Sequence, residues 1–324
     1  MLSPSWGGPA RFPATFAAGI RTLESLGLRV REYSSTRSLA ASVAERVADL
    51  HSAYADPEVH AVIASIGGDD SVSLLPHLDS TLIAAHPKIT LGYSDTCTLL
   101  CYLRSLNLVA FHGPSVMGGL AQAGAFPPVF LQQLYALLFE VVPTFEYPVF
   151  GLYCEGYEEW SNPDNAARTK PLLTDSGPKV LQGTHAAHGR LWGGCLEVLE
   201  MLKGTPWWPP AETWADTILF LEGSEEAPPP ELYERALRSW AAAGNLAKVK
   251  ALLVGRPRGY SAAQKLQLDA VLRTVVGIEA GRPDLLIVTN CDFGHTDPQW
   301  LLPIGCRVEV ETHGRVKLLE PAVQ

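Results

Sequence analysis

The chain has 324 residues, enough for two domains or for one large α/β domain with an appendage, and its 47% hydrophobic and 18% charged residues exclude an intrinsically disordered protein. A net charge of −9 argues against a nucleic-acid polymer as partner, since that binding neutralises phosphates with Lys and Arg; a small ligand with one phosphate stays open. No apolar run approaches the roughly 18 residues of a membrane span, and no basic-then-apolar secretion signal opens the chain.

In chain order, residues 12–27 read as a helix that Gly27 ends, and Leu28–Val30 as a short strand. A helix over 38–55 precedes a strand over Val59–Ile66. A helix at 71–77, a strand over Ile89–Tyr93 and a helix over Thr96–Leu106 follow. Strands alternating with helices predict a mostly parallel sheet covered on both faces, with ligands at the carboxyl ends of the strands. From 143 to 183, five prolines break the pattern, and this stretch reads as a connection carrying short strands. Beyond it come a helix at 193–203, a strand over Thr217–Leu221, a helix at 229–243 that the Pro-rich EEAPPPE starts, and a strand over Val249–Val254. A helix at 261–276, a strand over Leu285–Thr289 and a closing hairpin around His313-Gly314 complete the chain. The six cysteines lie in apolar segments and read as buried thiols of a reducing compartment, so a cytoplasmic protein is expected.

Three polar residues stand at predicted strand ends. In KITLGYSDTCTLL, Ser94 sits on a tight strand-to-helix turn. Such a turn lifts a hydroxyl out of the sheet and leaves the next N–H, that of Asp95, free to donate to an oxyanion. Ser94 as a plain helix cap is the competing reading. Thr96 stands where G-x-S-x-G has its second glycine. Glu222 ends the strand TILFLE and can orient a histidine. His295, in the Gly/Pro-bounded loop CDFGHTDP, is the natural general base near neutral pH. Each alone also fits a solvated loop residue. His51, His60, His77, His86, His112 and His313 read as surface or turn residues. His185 and His188 have i, i+3 spacing but no third ligand nearby, so no metal site is expected. The loop SIGGDDS follows a strand and can bring a second oxyanion donor, and SPSWGG can line the same rim.

Taken together, SPS, GGDDS, LLPHLD, HPKITLGYSDTCTLL, FHGP, GRLWGGCLEVL, ILFLEG and DFGHTDPQWLLPIG resemble, in order from residue 3 to about 305, the LD-carboxypeptidase family of serine peptidases. The resemblance implies an α/β fold: a Rossmann-like N-terminal domain with a parallel sheet and the nucleophile, and a C-terminal α/β domain with the acid and base. The expected divisions are 1–145, a connecting segment with a substrate loop at 146–183, and 184–324. It implies Ser94 as nucleophile, Glu222 as orienting acid, His295 as base, and an oxyanion hole from Gly68 and Asp95. It further implies no cofactor and no metal, a homodimer, and a small peptide or aminoacyl-nucleotide substrate. GGDDS and the segment EEWSNPDNAARTKP resemble the microcin C immunity branch more than the branch that trims muropeptides in wall recycling. On that basis Trp160 is a candidate to stack on a base, Asp69, Arg168 and Lys170 are candidate substrate contacts, and an acidic aminoacyl group is expected. Three departures stand out: only Met1 and Leu2 precede SPS, Cys195 replaces a usual Asn, and Gly223 replaces a common Asp. An α/β-hydrolase esterase would need Gly at 96 and a His-Gly-Gly strand. A non-catalytic binding protein is the alternative from another class.

Overall fold

The first sheet grows from three short parallel strands, the second followed two residues on by Ser94 and the third ending in His112. In the computed structural model, which describes residues 1–324, these are β1 (Ala61–Ile63), β2 (Ile89–Gly92) and β3 (Ala110–His112). Next come β4 (Phe145–Glu146), β5 (Leu152–Tyr153), β6 (Leu173–Thr174) and β7 (Lys179–Gln182), all in the Pro-broken stretch. The second half carries β8 (Ala187–Cys195), β9 (Thr217–Glu222), β10 (Ala251–Gly255) and β11 (Leu286–Cys291). It closes with β12 (Leu302–Ile304), β13 (Arg307–Val310) and β14 (Val316–Leu318). One sheet has the order β1-β2-β3-β12, the other β4-β14-β13-β8-β9-β10-β11-β7, and β5 pairs only with β6. β8 to β11 are mutually parallel, as are β1 to β3; β12 joins the first sheet antiparallel to β3. The protein is thus α/β with a parallel core in each sheet. A single apolar cluster of 71 buried residues spans both sheets.

Several expected elements move for identifiable reasons. The helix expected from 38 starts at Val43, because Ser42 and Glu45 form a reciprocal capping box. Leu28–Val30 is not a strand: Leu2 alone bridges to Ala64, so this segment has no extended neighbour to pair with. Residues 71–77 form a 3₁₀ helix around Pro76. The helix expected over 193–203 is mostly wrong. Residues 187–195 form the long strand β8, wedged between β9 and β13, and only Leu196–Glu200 is helical. A side chain at Gly193 would overlap the Phe220 carbonyl and one at Gly194 would meet Cys97, so the glycines serve close packing within a strand. β3, β12 and the helix Val129–Phe139 had no assigned counterpart. The hairpin around Gly314 forms as expected, and all six cysteines are buried free thiols. No helix is long and apolar enough to cross a membrane.

One buried cation fixes the loop after β11. Arg256, 1% exposed, donates to Asp292 (2.6 Å) and Asp175 (2.6 Å), and its guanidinium lies 4.3 Å from the Tyr153 ring centre. It thereby ties the end of β10, the connecting stretch and the loop that carries His295 into one piece. Removing it leaves Asp292 buried without a counter-charge, so Arg256→Ala should lose about 3–5 kcal/mol of stability. A urea denaturation curve shifted by less than a fifth of that would show the pair to be dispensable.

Candidate active site

The GGDDS loop and the turn that carries Ser94 are built as one unit. Ser5 Oγ accepts the Asp69 N–H (3.1 Å) and donates to Asp70 (3.0 Å), while buried Arg46 holds both oxygens of Asp70 at 2.7 and 2.8 Å. Ser3 and Ser65 share a hydroxyl bond of 2.5 Å. The Asp95 carboxylate accepts the Ser71 N–H at 2.8 Å, and Ser71 Oγ donates to the Asp95 carbonyl at 2.6 Å. A side chain at Gly67 would lie 2.9 Å from Ser94 Oγ and 3.5 Å from the Asp95 nitrogen. A glycine is therefore required where this loop passes the serine.

Ser94 sits directly after β2 with φ +58°, a strained conformation for a side-chain-bearing residue. Its hydroxyl caps nothing: no side-chain hydrogen bond from it reaches the helix that follows. Glu222 ends β9 and is 1% exposed; His295, 6% exposed, presents Nδ1 to Glu222 Oε2 at 2.7 Å. A side chain at Gly294 would strike Glu222 at 2.7–2.8 Å, so the loop must be glycine there to deliver the imidazole. His112, at the end of β3 and fully buried, stands 3.7 Å from the other Glu222 oxygen. It is neither a surface nor a turn residue, which corrects the sequence reading. Both its nitrogens and Glu222 Oε1 lack hydrogen-bond partners.

Electrostatics set the charge state of this group. Burial opposes charge on His295, but Glu222 and Glu225 outweigh it and lift its pKa to about 10. Burial likewise pushes Glu222 up, yet His295 and His112 bring it below the ordinary carboxylate range. Glu225, through its contact with His295, is depressed to about 2. Its Oε2 lies 3.0 Å from His295 Nε2 but off the N–H direction, so Nε2 has no aligned acceptor. Behind the imidazole, the Tyr157 hydroxyl donates to buried Asp297, and Tyr93 packs 5.0 Å from the His295 ring.

Ser94 and His295 line one cleft of about 460 Å³, with Gly67, Gly68, Tyr93, Trp6, Phe12, Tyr157, Trp160, Lys170, Glu225 and Arg258 among its walls. The imidazole of His295 is hydrogen-bonded through Nδ1 to Glu222 and not to Ser94 Oγ. Gly68 is on this wall, and its N–H donates to no protein acceptor. Trp160 is also there, stacked on Tyr157 (5.3 Å, 18°) and edge-on to Phe12 (5.6 Å) in the same chain. Asp69 and Arg168 are exposed and outside the cleft; Lys170 lines it but pairs with Glu158 at 3.3 Å. His188 faces Glu309 across the β8–β13 pair, away from the cleft. Glu225 and Arg258 were missed. Both lie within three residues of a strand's carboxyl end, the same signal that singled out Glu222.

Two sequence profiles match the chain: the LD-carboxypeptidase N-terminal domain over residues 1–113 and the LD-carboxypeptidase C-terminal domain over residues 188–310. YocD of Bacillus subtilis, provisionally named a carboxypeptidase, is 31% identical over 298 residues, covering 89% of this chain and 85% of its own. The microcin C7 self-immunity protein MccF of Escherichia coli is 26% identical over 308 residues, or 91% and 85% of the two chains. A B. subtilis protein provisionally named a murein peptide carboxypeptidase is 29% identical over 322 residues, or 96% and 88%. The solved structure of MccF in complex with aspartyl sulfamoyl adenosine matches in fold with a TM-score of 0.87, at 22% identity, over 100% of this chain and 96% of that one. The chain therefore belongs to the LD-carboxypeptidase family of serine peptidases, with MccF among its relatives in both sequence and fold.

Proposed function

We propose that the protein is an immunity-type serine amidase that hydrolyses the amide joining a C-terminal aminoacyl carbonyl to a nucleotide-like group. The observation that carries this reading is the imidazole of His295, held at Nδ1 by Glu222 and turned at Nε2 into the cleft that contains strained Ser94. Ser94 Oγ attacks the carbonyl, and His295 takes the hydroxyl proton and returns it to the leaving amine. Glu222 fixes the tautomer and balances the imidazolium. The N–H groups of Gly68 and Asp95 receive the oxyanion. Water then hydrolyses the acyl-enzyme by the reverse proton path.

Choice of substrate rests on the wall opposite the serine. Trp160, supported by Tyr157 and Phe12, offers an aromatic ring for a base to stack on, and Arg258 offers a cation with no carboxylate partner of its own. MccF, with its aspartyl sulfamoyl adenosine complex, supports an acidic aminoacyl-nucleotide as the class to try first. Trimming of a muropeptide is the reading that survives if such compounds are inert.

Three measurements test this reading. Ser94→Ala should cut kcat by about 10⁴-fold or more with ligand binding retained, whereas turnover within tenfold of wild type would remove Ser94 from the chemistry. Because His295 is raised to about 10 and must be neutral to act, the rise of kcat/KM with pH should continue well above neutrality. The ordinary imidazole range, which the loop position alone suggests, is displaced by the two carboxylates. A limb centred near pH 6.5 would contradict the clamp, and His295→Ala should abolish the limb altogether. Finally, Trp160→Ala should weaken kcat/KM for an aminoacyl-nucleotide roughly tenfold, the ~1–3 kcal/mol of one base–aromatic stack. A substrate without the base should be barely affected; equal losses on both would make Trp160 a packing residue.

A further inference from the structure

One buried imidazole beside the site is used by no step of this mechanism. His112 ends β3 and is wholly buried, with the rings of Phe220, Tyr93 and Phe293 around it at 5.2, 6.3 and 6.4 Å between centres. Its backbone is fixed from both sides, opposite Gly92 of β2 and Leu302 of β12, so the ring is delivered to one place. That place is 3.7 Å from Glu222 Oε1. Glu222 is boxed in as well: a side chain at Gly255 would lie 3.0 Å from its Cβ, and one at Gly294 2.7 Å. Oε2 is bonded to His295 Nδ1, while Oε1 and both nitrogens of His112 are buried without a hydrogen-bond partner. Cys97, Cys195 and Tyr233 also stand near enough to feel the charge of Glu222, and none of them donates to Oε1. Buried polar atoms are rarely left unpaired, and here two such atoms face each other.

We propose that His112 is a positioning residue of the triad: with a proton on Nε2 it donates to Glu222 Oε1 and so holds the carboxylate with Oε2 towards His295. The inference rests on the Ser94–His295–Glu222 reading above and gives the triad acid a second holder. An imidazole carries at least one N–H in either charge state, so the donor is always available. The separation of 3.7 Å is about 0.5 Å beyond the outer limit of an N–H···O bond, a gap that a small rotation of either side chain closes. A carboxylate gripped at one oxygen still turns about its last bond; gripped at both, it keeps its plane while the imidazolium forms beside it. Burial works against charge on Glu222, and His295 and His112 together outweigh it. The contact also joins the two sheets at the site. The sheet that presents Ser94 after β2 presents His112 at the end of β3, so the serine and the acid of β9 are set against one another through this ring.

The test is a double-mutant cycle. His112→Leu removes the donor and should lower kcat about ten- to hundredfold, the worth of one hydrogen bond to a charged group, with KM changed less than about threefold. His112→Gln, whose Nε2 reaches the same position, should recover most of that loss. In a Glu222→Ala background His112→Leu should cost nothing further. A mere packing defect would instead lower both backgrounds alike, because its effect does not pass through Glu222. Nitrogen NMR of the wild type should show a proton on His112 Nε2, and this measurement decides the matter should His112→Leu fail to fold by its thermal transition. A kcat within about twofold of wild type for His112→Leu, an equal loss with and without Glu222, or an Nε2 without a proton would overturn the proposal and leave the triad intact. Turnover that survives Ser94→Ala would instead sink the triad reading on which it rests.

Discussion

The site depends on placing a carboxylate and an imidazole together where water is nearly excluded. Neither Glu222 nor His295 would stay charged there alone, since burial disfavours the ionised form of each. At 2.7 Å each supplies the other's counter-charge, and the pair holds only while both backbones are fixed. Much of the surrounding architecture provides that fixation. Glu222 ends a fully buried strand flanked on both sides by parallel neighbours. His295 rides on a loop whose first residues are bound to Arg256 and whose Gly294 approaches Glu222 without a side chain to intervene.

Ser94 is held by a different kind of constraint, one of shape. A positive φ at Ser94 is sustained because the Asp95–Ser71 bonds and the Gly67 approach leave the turn no other way to run. The acidic residues of GGDDS serve this purpose. Asp70 is neutralised by Arg46 and Asp69 offers its N–H to Ser5, so both positions help to fasten the loop.

Much of this was legible in the sequence. Strand ends are marked by an apolar run stopping at a polar residue, and Ser94, Glu222 and His295 each follow such a run, so their convergence in space follows from parallel topology. Two kinds of information were not legible. The helix expected over 193–203 takes in the end of β8; the extended form of residues 193–195 comes from pairing with β9, a partner remote in sequence. The burial of His112 has the same origin: β3 is only three residues long, too short for periodicity to reveal. Asp69 and Arg168 stand in segments that carry the family resemblance, and a resemblance in sequence says nothing of which way a loop side chain points.

β12 has a consequence for how the chain can be divided. It follows the His295 loop, yet lies against β3, with Leu302 opposite His112, as the closing strand of the first sheet. A fragment ending at residue 145 would contain β1 to β3 but expose the long side of β3 as a raw edge, open to pairing with other chains. The reciprocal fragment would carry β12 as a lone strand with nothing to bind. The two halves should therefore be recoverable only together, co-expressed or mixed while unfolded, and their reassociation would rebuild the first sheet and the histidine loop in a single event.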